Sequence, residues 1–430
     1  MLKMYRTLMA AGEPVLTRIL ERRRLKGKED TMRIGERKGQ PGRQRPEGQL
    51  VWIHAASVGE AQSALIVIDA LLSKNESMHA LVTTGTVTSA KMMAKNLPER
   101  AFHQFYPLDH PDWVDSFLSH WHPDLVLWME SELWPNMLAE IKDRNILAVL
   151  VNARLSNKSY RLWKLSGGNA RKILETFSLV LAQTEKDARL YQSLKASHVI
   201  TTDNLKYSAK PLPFDEESLS NLSAMCGRRP LWLYASTHDG EEAMACRIHQ
   251  VLQNTIPDLL TIIVPRHPER RKDIVATCAE HNLRTCLRGD SHALPGNEDE
   301  IYIADTLGEL GLFYRLSPIA CIGRCFSNDG GGGHNPIEAM QLNCAVLFGP
   351  HVQNLQEIYG EIDLEQSALR VGNETEFIET LRYLLENPKA LHEIQNRALS
   401  FAQDKSNVLD RIMQALKPVF EQSGITKEAA

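Results

Sequence analysis

The chain has 430 residues, 43% hydrophobic and 24% charged, with a formal charge of −4; that is too long for one ordinary core, and two globular domains are expected. The charge is uneven, because residues 1–45 carry 13 Lys or Arg against 5 Asp or Glu, a local +8 that leaves −12 for the remainder. Seven cysteines (Cys226, Cys246, Cys278, Cys286, Cys321, Cys325 and Cys344) form no C-x-x-C pair and avoid the first half. This argues against a disulfide framework or a zinc site and suits reduced thiols in a cytoplasmic protein.

In chain order, the first 25 residues are interrupted by Glu13, Pro14 and Arg18. They lack the roughly 20 apolar residues of a membrane span and the unbroken apolar centre of a secretory signal. Leu2, Met4, Tyr5, Leu8, Met9, Val15, Leu16, Ile19 and Leu20, followed by Arg22-Arg23-Arg24, suit a helix lying in a membrane interface or one packed on the protein's own surface. The basic stretch through Lys38 to Arg45 suits anionic lipid headgroups or nucleic acid, or remains a solvated, poorly ordered segment.

From Leu50 onward, short apolar runs alternate with helical patterns, which predicts parallel sheets covered by helices on both faces. The expected strands of the first half are Leu50–Ala55, Ala80–Thr84, Phe102–Tyr106, Leu125–Glu130, Leu147–Asn152, Leu179–Gln183 and Val199–Thr202. Pro211-Leu212-Pro213 and the acidic stretch to Pro230 have the character of a linker. The second half continues with Leu231–Ser236, Leu260–Pro265, Ile301–Ala304, Ile319–Gly323, Ala345–Phe348 and Leu369–Val371, then helical periodicity from about Glu374 to Glu421. Two open parallel sheets joined by one linker imply a central cleft, with ligands beyond the carboxyl ends of the strands.

The polar motifs fall at those ends. Ser57-Val58-Gly59-Glu60 follows the first strand, so Glu60 is placed either as a general base for an acceptor hydroxyl or as the carboxylate of a capping box. Glu130 and Glu132 end an apolar strand before Trp134-Pro135-Asn136; such carboxylates can hold sugar hydroxyls or steady a cation, or begin a helix. Asn152-Ala153-Arg154 adds a guanidinium, and Asp203-Asn204-Leu205-Lys206 a lysine able to offset charge on a departing phosphate. In the second half, Ser236–Glu242 and Pro265-Arg266-His267-Pro268 offer small hydroxyls and positive charge beside helix starts. Asp305-Thr306-Leu307-Gly308-Glu309-Leu310 predicts a helix capped at Asp305 or Thr306. Gly330–Gly333, then His334-Asn335-Pro336-Ile337-Glu338, reads as a glycine-rich turn whose free N–H groups would cradle an anion, with Glu338 placed to accept from a ribose.

Taken in order, His54–Glu60, Glu130–Asn136, Asn152–Ser156, Asn204–Lys206, Ser236–Glu242, Pro265–His267, Asp305–Leu310 and Gly332–Glu338 resemble the family that transfers 3-deoxy-D-manno-octulosonic acid (Kdo) to the lipid A precursor. The resemblance covers nearly the whole chain. It implies an α/β GT-B fold with two Rossmann-like domains facing a cleft: residues 1–48 as a basic amphipathic membrane-proximal arm, 49–211 as acceptor domain, 212–400 as CMP-sugar domain and 401–430 as a C-terminal helix returning to the first domain. It implies CMP-Kdo as donor and lipid IVA as acceptor, Glu60 as proton acceptor, and Glu130 and Lys206 as transition-state stabilisers. Arg266, His267, Gly308, Glu309, Leu310, Asn335, Pro336, Ile337 and Glu338 then bind CMP. No metal or other cofactor is expected, and no nucleic acid; the arm would hold the enzyme to the cytoplasmic face of the inner membrane. Asp203, where the family has glycine, and the run Asn328-Asp329-Gly330-Gly331 depart from the pattern and bear on loop geometry at the leaving phosphate. The rivals are a nucleotide-sugar epimerase of the same fold and a non-catalytic nucleotide-binding membrane protein.

Overall fold

The computed structural model describes residues 2–130, 132–208, 211–327 and 329–425; Met1 of the arm, Ser131, Asn328 and the segments 209–210 and 426–430 lie outside them. Two compact units divide the chain: Met1–Ala209 with Asn407–Ala430, and Lys210–Ser406.

The first unit is built on β1 (Gln49–His54), β2 (Met78–Thr84), β3 (Ala101–Phe105), β4 (Leu125–Met129), β5 (Leu147–Ala153), β6 (Leu179–Ala182) and β7 (Val199–Thr201), in the order β3-β2-β1-β4-β5-β6-β7. Every pairing is parallel. The strands are apolar throughout because both faces are covered: Val51 and Ile53 point into one core and Leu50 and Trp52 into the other. The first of these cores also takes Val408, Ile412, Leu416 and Val419 from the last helix, Val408–Gln422.

The second unit holds β8 (Leu231–Thr237), β9 (Leu260–Pro265), β10 (Thr285–Leu287), β11 (Ile301–Ile303), β12 (Ile319–Ile322), β13 (Ala345–Phe348) and β14 (Leu369–Arg370), ordered β10-β11-β9-β8-β12-β13-β14 and again parallel. The expected strands are present to within a residue or two. β10 was not expected: three half-buried residues at the sheet edge, between Arg284 and Arg288, carry no run or alternation to read.

Three further differences have local causes. The stretch expected as linker contains the helix Glu216–Cys226, whose first turn is capped by Asp215 accepting from the Ser218 amide at 2.7 Å and whose inner face is little more than Leu222 and Cys226. The terminal helical region is three helices, Glu374–Glu386, Pro388–Ser406 and Val408–Gln422, separated at Asn387 and Asn407. The basic arm is not a loose tail. Residues 2–25 form the helices Leu2–Ala11 and Glu13–Leu25, while beyond them Glu29 pairs with Arg23 at 2.6 Å, Arg33 with Glu36 at 2.8 Å, and Glu36 accepts from the Phe105 amide at 2.7 Å. The arm is thereby held to the edge of the first sheet by Glu36, while Arg18, Arg22 and Lys26 stay exposed.

Candidate active site

In an open parallel sheet the ligand crevice lies at the switch point, where the connections on either side diverge. In the first sheet this is between β1 and β4, and the chain leaving those two strands carries Glu60 and Glu130. Ser57 caps the helix Val58–Leu72 by accepting from the Glu60 amide at 3.3 Å. In return the Glu60 carboxylate accepts from the Ala56 amide at 2.8 Å and from the Ser57 hydroxyl at 3.1 Å. The capping box is therefore real. Yet burial, and next the Glu130 carboxylate, push the Glu60 pKa up to about 7, against the opposing pull of its hydrogen bonds to Ala56 and Ser57. A carboxylate so tuned can take a proton near neutrality.

Glu130 sits in the left-handed region, φ 56°, with its amide bonded to the Val151 carbonyl at 3.0 Å. Such a conformation costs about 1–3 kcal/mol outside glycine and aims the side chain away from the strand line. Lys206 Nζ approaches Glu130 Oε1 to 3.4 Å and stands over Gly59, 3.5 Å from where a Cβ would lie. The backbone beneath Lys206 is held by two asparagines: buried Asn152 accepts from the Leu205 amide at 2.9 Å, and Asn204 from the Lys206 amide at 3.1 Å. Asp203, the departure beside them, pairs with Arg411 of the last helix at 3.0 Å. Glu60, Glu130 and Lys206 thus converge within one unit. Glu132 is exposed and accepts from the Trp134 indole at 3.3 Å, and Arg154 is exposed at the end of β5.

In the second unit the switch point lies between β8 and β12. Buried Glu241 ties the two loops together, accepting from the amides of His238 at 2.9 Å, Arg324 at 2.8 Å and Phe326 at 3.0 Å. Glu242 holds Arg270 at 2.7 Å, fixing the loop after β9 that presents exposed Arg266 and His267. Gly308, φ 87°, faces open space at its missing Cβ. The expected cap at Asp305 or Thr306 is not formed: the helix is Leu310–Leu316, starting at Glu309, and Asp305 instead accepts from the Gly289 amide at 2.6 Å and pairs with Arg271 at 3.1 Å. Glu309 is engaged by buried Arg288 at 2.7 Å.

The glycine run departs most from expectation. A Cβ on Gly331 would meet the Arg324 guanidinium at 2.1 Å, on Gly332 the Gln353 amide nitrogen at 2.5 Å, and on Gly333 the Tyr359 ring at 2.9 Å. The Gly331 amide already donates to Asp329 and the Gly333 amide to the Arg324 carbonyl, at 2.9 and 3.3 Å. The glycines let the turn pack tightly, and two of its amides are already engaged. After the turn, Asn335 accepts from the Ile337 amide at 3.1 Å and donates to Glu338 at 3.2 Å, orienting a carboxyl whose pKa burial raises.

Residues 32–209 match the family model for 3-deoxy-D-manno-octulosonic-acid transferase (kdotransferase). The 3-deoxy-D-manno-octulosonic acid transferase of Rickettsia bellii is 35% identical over 424 residues, covering 98% of this chain and all of that one. The chain belongs to the Kdo transferase family. The Haemophilus influenzae Kdo transferase is 29% identical over 427 residues, 97% of this chain and 99% of its own. A Neisseria meningitidis UDP-GlcNAc 2-epimerase crystal structure matches with TM-score 0.56 at 18% identity over 86% of this chain and all of that one, a likeness of fold.

This Kdo transferase is accordingly a GT-B glycosyltransferase of lipopolysaccharide biosynthesis. Its first unit brings together Glu60, Glu130 and Lys206 of the residues that the motifs single out there, and not Glu132 or Arg154. In the second, the motifs lie on loops after the strands, but sequence reading missed Glu241 as the tie between loops, Arg288 as the partner of Glu309, and the pairing of His238 with His334. Glu241-Glu242 at a helix start was a visible signal of capping; that both carboxylates are buried was not.

Proposed function

We propose that this transferase moves Kdo from CMP-Kdo to lipid IVA by an inverting single displacement. Glu60 takes the proton of the acceptor hydroxyl, its oxygen attacks the anomeric carbon, and the bond from that carbon to the phosphate oxygen breaks to release CMP. The observation that carries this reading is a buried carboxylate at the switch point whose pKa of about 7 fits a general base. Glu130 and Lys206 stabilise charge in the transition state, and Lys206, Arg266 and His267 offset the phosphate without a divalent cation. Gly308, Glu309, Leu310, Asn335, Pro336, Ile337 and Glu338 complete the CMP site. Exposed Met4, Leu8, Val15, Ile19 and Leu25, beside exposed Arg18, Arg22 and Lys26, support peripheral attachment to the cytoplasmic face of the inner membrane.

Incubating the protein with CMP-Kdo and lipid IVA, with and without EDTA, tests this reading by CMP release and acceptor mass. Equal addition of Kdo in both reactions is expected. CMP binding without a mass change would overturn the activity, and loss of transfer in EDTA restored by a divalent cation would overturn metal independence.

A further inference from the structure

His238 follows β8 and His334 follows β12, so they flank the switch point of the second sheet. Their rings stack with centroids 5.2 Å apart and planes 29° apart, and Nε2 meets Nε2 at 3.0 Å. Two imidazole nitrogens that close require one proton between them, since two lone pairs or two N–H groups repel. Asp329 Oδ2 lies 3.4 Å from His238 Nδ1. That contact favours the His238 proton on Nδ1, which leaves its Nε2 to accept from His334.

The surroundings are cationic. Arg324 and Arg270 and the His267 ring act on His238, and Arg266 and Arg324 on His334. The nearby carboxylates are engaged: Asp329 with Arg324 at 3.0 Å, Asp239 and Glu242 with Arg270, and Glu241 with three amides. Tyr359 donates its hydroxyl to the His334 carbonyl oxygen at 2.7 Å. Burial first, then these positive neighbours, lower the pKa of both rings, that of His334 to about 4, so the unliganded pair is neutral near pH 7. Two amides of the glycine turn already have acceptors, so side chains add to the positive charge available to an anion at this switch point.

We propose that Asp329, His238 and His334 form a proton-coupled receptor for a phosphate monoester: the anion settles against His334 and Arg266, and one proton enters the histidine pair from solvent as it binds. The inference rests on the second unit being the nucleotide site. A dianion beside the pair offsets the repulsion from the arginines, so the bound state holds the proton that the free state lacks. Above the second phosphate pKa of about 6, affinity then falls as pH rises, by up to about tenfold per unit for one linked proton.

Calorimetric titration with CMP, cytidine and inorganic phosphate between pH 7 and 9, above the second phosphate pKa of about 6, in two buffers of different ionisation enthalpy, counts the protons. CMP and phosphate are expected to bind with proton uptake that grows as pH falls toward 7, and cytidine with none. His238→Asn and His334→Asn should abolish the uptake and flatten the pH dependence, with melting curves verifying the fold; Asp329→Asn, on the loop, should reduce it. CMP binding without proton uptake, or with uptake unchanged in both histidine variants, overturns the receptor and leaves the nucleotide reading standing. Proton-coupled phosphate binding with no binding of CMP supports the receptor and overturns the nucleotide reading. Absence of binding by both anions overturns both.

Discussion

Glu60 combines two properties in one side chain: its oxygens complete a helix cap and its pKa is raised into the range that a base would need. Activity limited by this group should rise with pH through about 7, about tenfold per unit below that point, with a plateau above it. The stability consequence has the opposite sign. The folded-state pKa lies above the ordinary carboxylate range, so the favourable protonated form is lost as pH rises from about 4.5 through about 7. Glu60→Gln, which keeps an acceptor for the Ala56 amide, should therefore gain in melting temperature relative to wild type between pH 5 and pH 8. An unchanged difference across that range would show that no strained carboxylate is relieved. The position of Glu60 after a strand was legible in the sequence, and so was its cap. Its burial beside Glu130 was not, because that proximity comes from the pairing of β1 with β4 across more than seventy residues.

At the scale of elements, the short 3₁₀ turn Leu205–Ser208 carries Lys206, and Asn152 positions it from β5. Asn152→Ala leaves the Leu205 amide without that acceptor and puts alanine at φ 55°, so a stability loss of about 1–3 kcal/mol is expected in denaturant titration. Transfer should fall as well, because Lys206 loses its support. An unchanged kcat would show that Lys206 is positioned otherwise. The strands were readable because both sheets are buried on both faces and their runs are apolar without interruption. β10 and the helix Glu216–Cys226 escaped because one is three residues at an edge and the other buries only two side chains. The packing of the glycine turn was not legible for a different reason: a run of glycines looks alike whether it makes room for a ligand or for Arg324, Gln353 and Tyr359.

Over the whole molecule, the last helix belongs to the core of the first unit, 200 residues upstream in the chain. Leu416→Ala should cost about 2–5 kcal/mol in that unit's unfolding, measured by the denaturation midpoint, and Asp203 keeps the same helix close through Arg411. At the other terminus, no helix among the described residues is long and apolar enough to cross a membrane. Attachment by the exposed faces of the first two helices predicts that Leu8→Glu weakens binding to anionic vesicles about tenfold or more, and that added salt weakens it further. Equal sedimentation of wild type and variant with vesicles would contradict an attachment through that face. The two-sheet architecture and the placement of motifs on it were legible over the full length, whereas the folding of the arm onto the first unit depends on contacts such as Glu36 with the Phe105 amide and Arg33 with the His103 carbonyl that no periodicity announces. Whether Glu60 is the base of Kdo transfer is read from the rate of Kdo addition to lipid IVA for wild type and Glu60→Gln under saturating CMP-Kdo. A loss of about a hundredfold or more is expected in a variant that melts no lower than wild type; a folded variant that transfers at the wild-type rate would show that Glu60 is not the base.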